Sequence, residues 1–269
     1  MRSFSRRHTG PWLLLLLLIC AGAVAAAPSE RARILASHPH DPDAFTQGLL
    51  VADGLLYEST GGYGDSSLRR VAPASGEVLQ TRSLSRDHFG EGLARVGARL
   101  YQLTWKAGVA FVYDRDSLAR IDRLTYDGQG WGLTYDGTHL IMSDGSATLQ
   151  LRDPDDFRRV GALEVTEDGQ PVDELNELEY IDGEIWANVW YRDRILRIDP
   201  RTGDVIASLD ATPLRAALPA DAEAGVLNGI AYDAAAGRIY ATGKNWPRLF
   251  EIARPTAGRA DPGATLSAE

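Results

Sequence analysis

Residues 87–106, DHFGEGLARVGARLYQLTWK, set a carboxylate, Glu91, between two glycines at the head of an apolar run. A segment serving only a dry core would carry a small apolar side chain there, because burying an unpaired carboxylate is costly. Desolvation also raises the pKa of such a group toward neutrality, where it can both take up and return a proton. Other segments repeat the surrounding pattern and bring side chains suited to the same work. Gln47, Trp131, Asn176 and Asn228 each head a comparable run, and Phe45 and Phe89 stand two residues before Gln47 and Glu91. Trp105, Trp190 and Lys244 recur four residues after the core residue of the strand that follows. One acid, one lysine, several amides and an aromatic wall make a polar pocket with a water-poor lining, fit for proton transfer on a polar substrate.

These residues can meet only if an internal repeat brings them together. The runs QGLLVADGLLYEST, EGLARVGARLYQLT, WGLTYDGTHLIMSD, NELEYIDGEIWANV and NGIAYDAAAGRIYATG start at Gln47, Glu91, Trp131, Asn176 and Asn228. Each reads as a strand, a turn and a second strand, with Asp53-Gly54, Asp136-Gly137 and Asp182-Gly183 supplying hairpin chemistry. The second strands reach their core residues at Tyr57, Tyr101, Ile141, Trp186 and Tyr240. Third strands follow in SLRRVAP, VAFVYDR, TLQLRDP, RILRIDP and RLFEIAR, and fourth strands in EVLQTRSL and DVIASLD. Units of about four strands at this spacing predict an all-β fold, a five-bladed β-propeller. The segment RARILASHPH has no unit of its own and is predicted to supply the outer strand of the last blade, closing the ring. PLRAALPADAEA, residues 213–224, is the one helix-like piece, read as an insertion before that blade. In a propeller the first strand of each blade lines the central channel. Gln47, Glu91, Trp131, Asn176 and Asn228 should therefore ring one mouth of it. Gly61 and Gly145 occupy the Trp105 place in two blades and should leave room for a ligand.

Three segments are expected along the 269 residues: a secretory leader over 1–27, a single propeller domain over 28–254 and a flexible tail over 255–269. The leader is read from Arg2, Arg6 and Arg7, a short apolar run, and an Ala-x-Ala end before Pro28. The protein is thus expected to be exported, periplasmic or secreted, with no membrane attachment after cleavage. The single cysteine, Cys20, falls in the leader, so the mature chain must be held by its core rather than by disulfides. The formal charge of −9 argues against nucleic acid as a partner. No strand or heptad suggests an oligomer, and a monomer is expected.

Taken singly, each residue has a plainer reading. Trp186 is a core residue. Trp105 and Trp190 could be rim aromatics, Asn176 and Asn228 turn caps, and Glu91 the partner of Lys106 in a surface ion pair. His38, His40, His88 and His139 share no spacing, so no histidine metal site is expected. Registration on one row of the repeat is what lifts the set above these readings.

The motifs AFTQGL, FGEGLA, LTWK, GWGLTYDG, LNELEYIDGEIWANVW and LNGIAYD with YATGKNWP resemble the plant and bacterial type of glutaminyl-peptide cyclotransferase, over roughly residues 33–252. That resemblance implies a five-bladed propeller that converts the N-terminal glutamine of peptides or proteins to pyroglutamate with loss of ammonia. It implies Glu91, in FGEG, as the catalytic acid/base, and Phe45, Gln47, Phe89, Trp105, Trp131, Asn176, Trp190 and Lys244 as pocket residues. No metal or other cofactor is expected in the chemistry, and a structural divalent cation in the channel is left open. Two other readings stay open on the residues alone. One is a metal-dependent, lactonase-like propeller hydrolase using Glu91, Asn176, Glu177 and Asn228 as oxygen ligands. The other is a propeller that binds peptides without turning them over.

Overall fold

The computed structural model describes residues 27–256. The expected leader, apart from its last residue, and nearly all of the expected tail lie outside them. Five sheets, antiparallel in their four repeat strands, are arranged as blades, each running outward from a strand on the central channel. The inner strands are Thr46–Ala52, Gly90–Val96, Leu133–Tyr135, Leu175–Ile181 and Leu227–Asp233. Each packs against the inner strand of the next blade, and the fifth returns to the first. The core residues expected from the repeat, Tyr57, Tyr101, Ile141, Trp186 and Tyr240, are all buried. Among the described residues helix is confined to Thr212–Ala216, at the start of the predicted insertion. Among the described residues no helix is long and apolar enough to cross a membrane.

Closure follows the expectation from RARILASHPH. Ile34–Pro39 pairs antiparallel with Arg248–Ile252 and forms the outer edge of the fifth blade. Ahead of it, Ser29–Arg31 runs parallel to Val205–Asp210 and adds a fifth strand to blade four, which the repeat does not announce. The N-terminal segment therefore ties two blades together. Beyond this strand His40 fastens the seam between blades five and one: its Nδ1 lies 2.7 Å from the Trp246 carbonyl oxygen and its Nε2 3.1 Å from Glu58. Glu58 also accepts from Thr46 Oγ1 at 2.7 Å and from Arg69 at 2.5 Å.

Inner strands meet more closely than side chains allow. A Cβ on Gly92 would lie 2.5 Å from the Leu133 nitrogen, and one on Gly132 would overlap the Asn176 carbonyl oxygen. Glycine therefore follows Glu91 and Trp131 because neighbouring backbones touch there; Gly92 N–H donates to the Trp131 carbonyl at 2.6 Å. The residue after Asn176 is instead Glu177, which is 1 % exposed. Its carboxyl crosses the channel and accepts Leu49 N–H of blade one at 3.3 Å and Ile230 N–H of blade five at 2.8 Å.

These buried acids set how stability depends on pH. Burial pushes Glu91 and Glu177 well above the ordinary carboxyl value, with Glu179 adding to the rise of Glu177. For Glu58 burial works in the same direction, but His40, Arg69 and Thr46 outweigh it and bring the group to about 2. Burial lowers His40, yet Glu58 and the Trp246 carbonyl more than offset it, and the imidazole ends above 6.5. Groups raised on folding bind protons more tightly in the native state, so Glu91, Glu177 and His40 lose stabilisation as pH rises through their folded values. Glu58 behaves oppositely and loses it as pH falls from about 4.5 toward 2. The melting temperature is accordingly expected to be highest near about pH 4.5 and to fall as pH rises above it. A calorimetric series across pH 3–9 checks this; a plateau extending to pH 9 would contradict it.

Candidate active site

At one mouth of the channel the ring residues are aimed by irregular pairing. Register shifts fall at Gln47, between Thr46 and Gly48, and at Glu91-Gly92, between Gly90 and Leu93. They recur at Asn176-Glu177 and at Asn228-Gly229. In the third blade the inner strand begins only at Leu133, after Trp131. An extra residue in one strand of a pair turns its side chain out of the regular alternation, a device common beside active sites. Four of the five ring positions are thus bulges, and three of them, Gln47, Glu91 and Asn176, face the pocket at the channel mouth.

They enclose a pocket of about 160 Å³. Glu91, Gln47 and Asn176 form its floor with Lys244, and all four are buried. Phe45, Phe89 and Trp105 wall one side, with Phe89 edge-on to both Phe45 at 6.0 Å and Trp105 at 5.7 Å. Trp131 and Trp190 wall the other, edge to face at 5.1 Å. Glu91 and the eight pocket residues that the resemblance implies therefore converge here. Trp186, as expected, stays in the core beneath. Lys106 is not paired with Glu91; its Nζ stands 3.8 Å above the Trp105 ring.

Two expectations need correction. Asn228, placed in the ring by registration, does not line the pocket: it is fully buried below Gln47, donating to the Thr46 carbonyl at 3.0 Å and to Gln47 Oε1 at 3.2 Å. Gly61 and Gly145 do not open space for a ligand. A Cβ on Gly61 would overlap the Phe89 ring, and one on Gly145 would sit 2.7 Å from the Trp131 ring, so the glycines seat two pocket walls. Of the lactonase-like oxygen set, Glu177 accepts two backbone N–H groups and the Asn228 amide nitrogen donates to Thr46 and Gln47, while Asn228 Oδ1 has no hydrogen-bond partner among the described residues.

Gln129 joins the site without any signal in the repeat. Its Oε1 accepts the Trp105 indole N–H at 2.6 Å and lies 3.4 Å from that of Trp131, so one amide spans both walls. Only its place in the loop between two site tryptophans could have suggested it.

The floor has a defined polarity. Asn228 donates to Gln47 Oε1, which leaves the Gln47 amide nitrogen to donate to Glu91 Oε1 at 2.9 Å. Burial raises Glu91, and the charge of Lys244 opposes the rise. Burial lowers Lys244 in turn, and Glu91 opposes that fall. Lys244 Nζ rests 4.8 Å over the Phe45 ring. Among the described residues the Asn176 side chain makes no hydrogen bond, so its amide is open to a ligand. The arrangement offers one carboxyl of raised pKa beside two unspent polar groups, in a hollow the size of a single residue.

The family model of glutamine cyclotransferase matches residues 13–253. A glutaminyl-peptide cyclotransferase of Arabidopsis thaliana is 43 % identical over 223 residues, covering 81 % of this chain and 70 % of the relative. The crystal structure of Myxococcus xanthus glutaminyl cyclase superposes with a TM-score of 0.80 at 43 % identity, covering 84 % of this chain and 97 % of that one. The fold, the site and both relatives lead to one conclusion: the chain belongs to the glutamine cyclotransferase family.

Proposed function

We propose that this protein is a glutaminyl-peptide cyclotransferase, converting the N-terminal glutamine of peptides to pyroglutamate, and that Glu91 carries the proton. The α-amine and the side-chain carboxamide belong to the same residue, so the pocket need only hold that residue folded. The α-amine nitrogen attacks the carboxamide carbon, closing a five-membered ring, and the carbon–nitrogen bond to the amide nitrogen breaks. Glu91 takes a proton from the attacking amine and returns one to the departing nitrogen, which leaves as ammonia. A carboxyl whose pKa is raised by burial suits both halves of that exchange. Gln47 spends one donor fixing Glu91, so Asn176 and Lys244 are the groups that steady the oxygen of the tetrahedral intermediate. The aromatic walls exclude water and grip the glutamine methylenes.

The observation that carries this reading is Glu91 itself, 4 % exposed, polarised by Gln47 and facing a single-residue hollow. The proposal includes activity without metal or cofactor, as a monomer, on the exported form that follows removal of the leader ahead of Pro28. The test is ammonia release from a Gln-initiated peptide by catalytic amounts of protein dialysed against EDTA. Loss of one ammonia per peptide is expected; an unaltered peptide, or activity that returns only with added metal, overturns the proposal.

Lys244→Met separates the two roles of the floor. Losing an oxyanion donor of this kind costs about 10²-fold in kcat. Removing the charge that opposes the rise of Glu91 should also shift the acid limb of kcat/KM to higher pH. An acid limb that stays in place would contradict the electrostatic link between the two groups.

A further inference from the structure

The pocket is small beside the roughly 300–1,000 Å³ of ordinary small-molecule sites, and it accommodates one residue. A peptide whose first residue fills it must run its second residue over the rim. On the Trp131–Trp190 side that rim is extended by Tyr191, whose ring stacks on Trp190 at 4.3 Å and 29°. Tyr191 is 69 % exposed, so nothing in the described chain covers its outer face.

Its backbone is the second observation. Tyr191 has φ 59°, in the left-handed region that bulky side chains avoid. The repeat supplies a comparison: the equivalent residue of blade five, one past Lys244, is Asn245, also at φ 59°. Asparagine tolerates that conformation, and there its amide donates to the Pro42 carbonyl at 3.0 Å. Blade one uses Gly62 at φ 126°. Only in blade four does a large ring occupy the strained place, and among the described residues its side chain makes no hydrogen bond in return. A strained residue held out to solvent beside a reaction pocket points to use by a ligand. Tyrosine is well suited to it, giving a wide contact surface at low entropic cost.

Resting on the cyclotransferase reading, we propose that Tyr191 is a specificity-determining residue: it receives the side chain of the substrate's second residue and favours peptides with an aromatic or bulky aliphatic residue after the N-terminal glutamine.

The experiment compares kcat/KM for glutamine amide, a Gln-Gly peptide and a Gln-Phe peptide. The wild type should prefer Gln-Phe over Gln-Gly by roughly fivefold, the scale of one aromatic contact. Tyr191→Ala should bring that ratio close to one through loss on Gln-Phe, with glutamine amide changed less than twofold. Tyr191→Phe should keep the preference. Tyr191→Asn should lose it while melting at the same or a higher temperature, since asparagine suits the backbone. A wild type indifferent to the second residue, a ratio that survives Tyr191→Ala, or an equal loss on all three substrates overturns the assignment. Failure of the wild type on glutamine amide would instead strike the cyclotransferase reading itself.

Discussion

Glu91→Gln is expected to yield a folded protein whose kcat has fallen by about 10²–10⁴, the span attributed to a positioned acid/base group. The substitution keeps volume and shape, and the new amide oxygen can still accept from Gln47, so the floor of the pocket should hold its geometry. What disappears is the ability to hold a proton between the attacking amine and the leaving nitrogen. Stability should not suffer. Burial disfavours the charged form of Glu91, and a neutral amide avoids that cost near pH 7. The variant should therefore melt at or above the wild-type temperature at pH 8 and show a shallower decline between pH 5 and 8. Steady-state ammonia release and calorimetry on one preparation check both parts. A variant that is inactive because it is unfolded, or folded and fully active, would each contradict the role assigned to Glu91.

The second large effect is structural. Gly132→Ala adds one methyl group where the backbone of blade three meets that of blade four, on top of the Asn176 carbonyl oxygen. Neither side can retreat cheaply. Asn176 O accepts Ser143 Oγ at 2.6 Å, Gly132 N–H donates to the same hydroxyl at 2.7 Å, and Trp131 O is held by Gly92. The cost should reach about 3 kcal/mol or more, at or beyond the upper end for overpacking. In a protein of this size that corresponds to a fall of roughly 6–12 °C in Tm. Activity should fall with it, because the shift displaces Trp131 and Asn176 together. Gly161→Ala is the matched control: its Cβ would meet the flexible end of Leu151 at 3.2 Å, and it should cost under about 1 kcal/mol. Equal losses in the two variants would show that the close approach of the inner strands does not constrain the fold.

Much of this site could be read from the chain because a repeat converts spacing into position. Once Gln47, Glu91, Trp131 and Asn176 stand on one row, the propeller must bring them to one mouth, and Trp105, Trp190 and Lys244 follow on the next strand. Closure by Ile34–Pro39 was legible for a similar reason, since the fifth unit ran out of strands before the ring was complete. What escaped depended on contacts rather than on spacing. Registration cannot say that Asn228 lies beneath Gln47 instead of beside it, because a bulge redirects the side chain by an amount the alternation does not encode. Gly61 and Gly145 looked like space and proved to be seats for Phe89 and Trp131, which only the packing of neighbouring blades reveals. Gln129 bridges two tryptophans from a loop outside the repeat. The parallel strand Ser29–Arg31 is too short for a pattern of its own and is fixed by the edge of blade four.

The most direct measurement is the titration of Glu91 itself, by infrared difference between wild type and Glu91→Gln, set against the acid limb of kcat/KM for glutamine amide. The expected result is a protonated-carboxyl band that persists well above pH 4.5, vanishes in the variant, and titrates in step with the free enzyme's acid limb. A carboxyl that is fully ionised by pH 5.5, or an acid limb that moves independently of it, would show that Glu91 does not carry the proton.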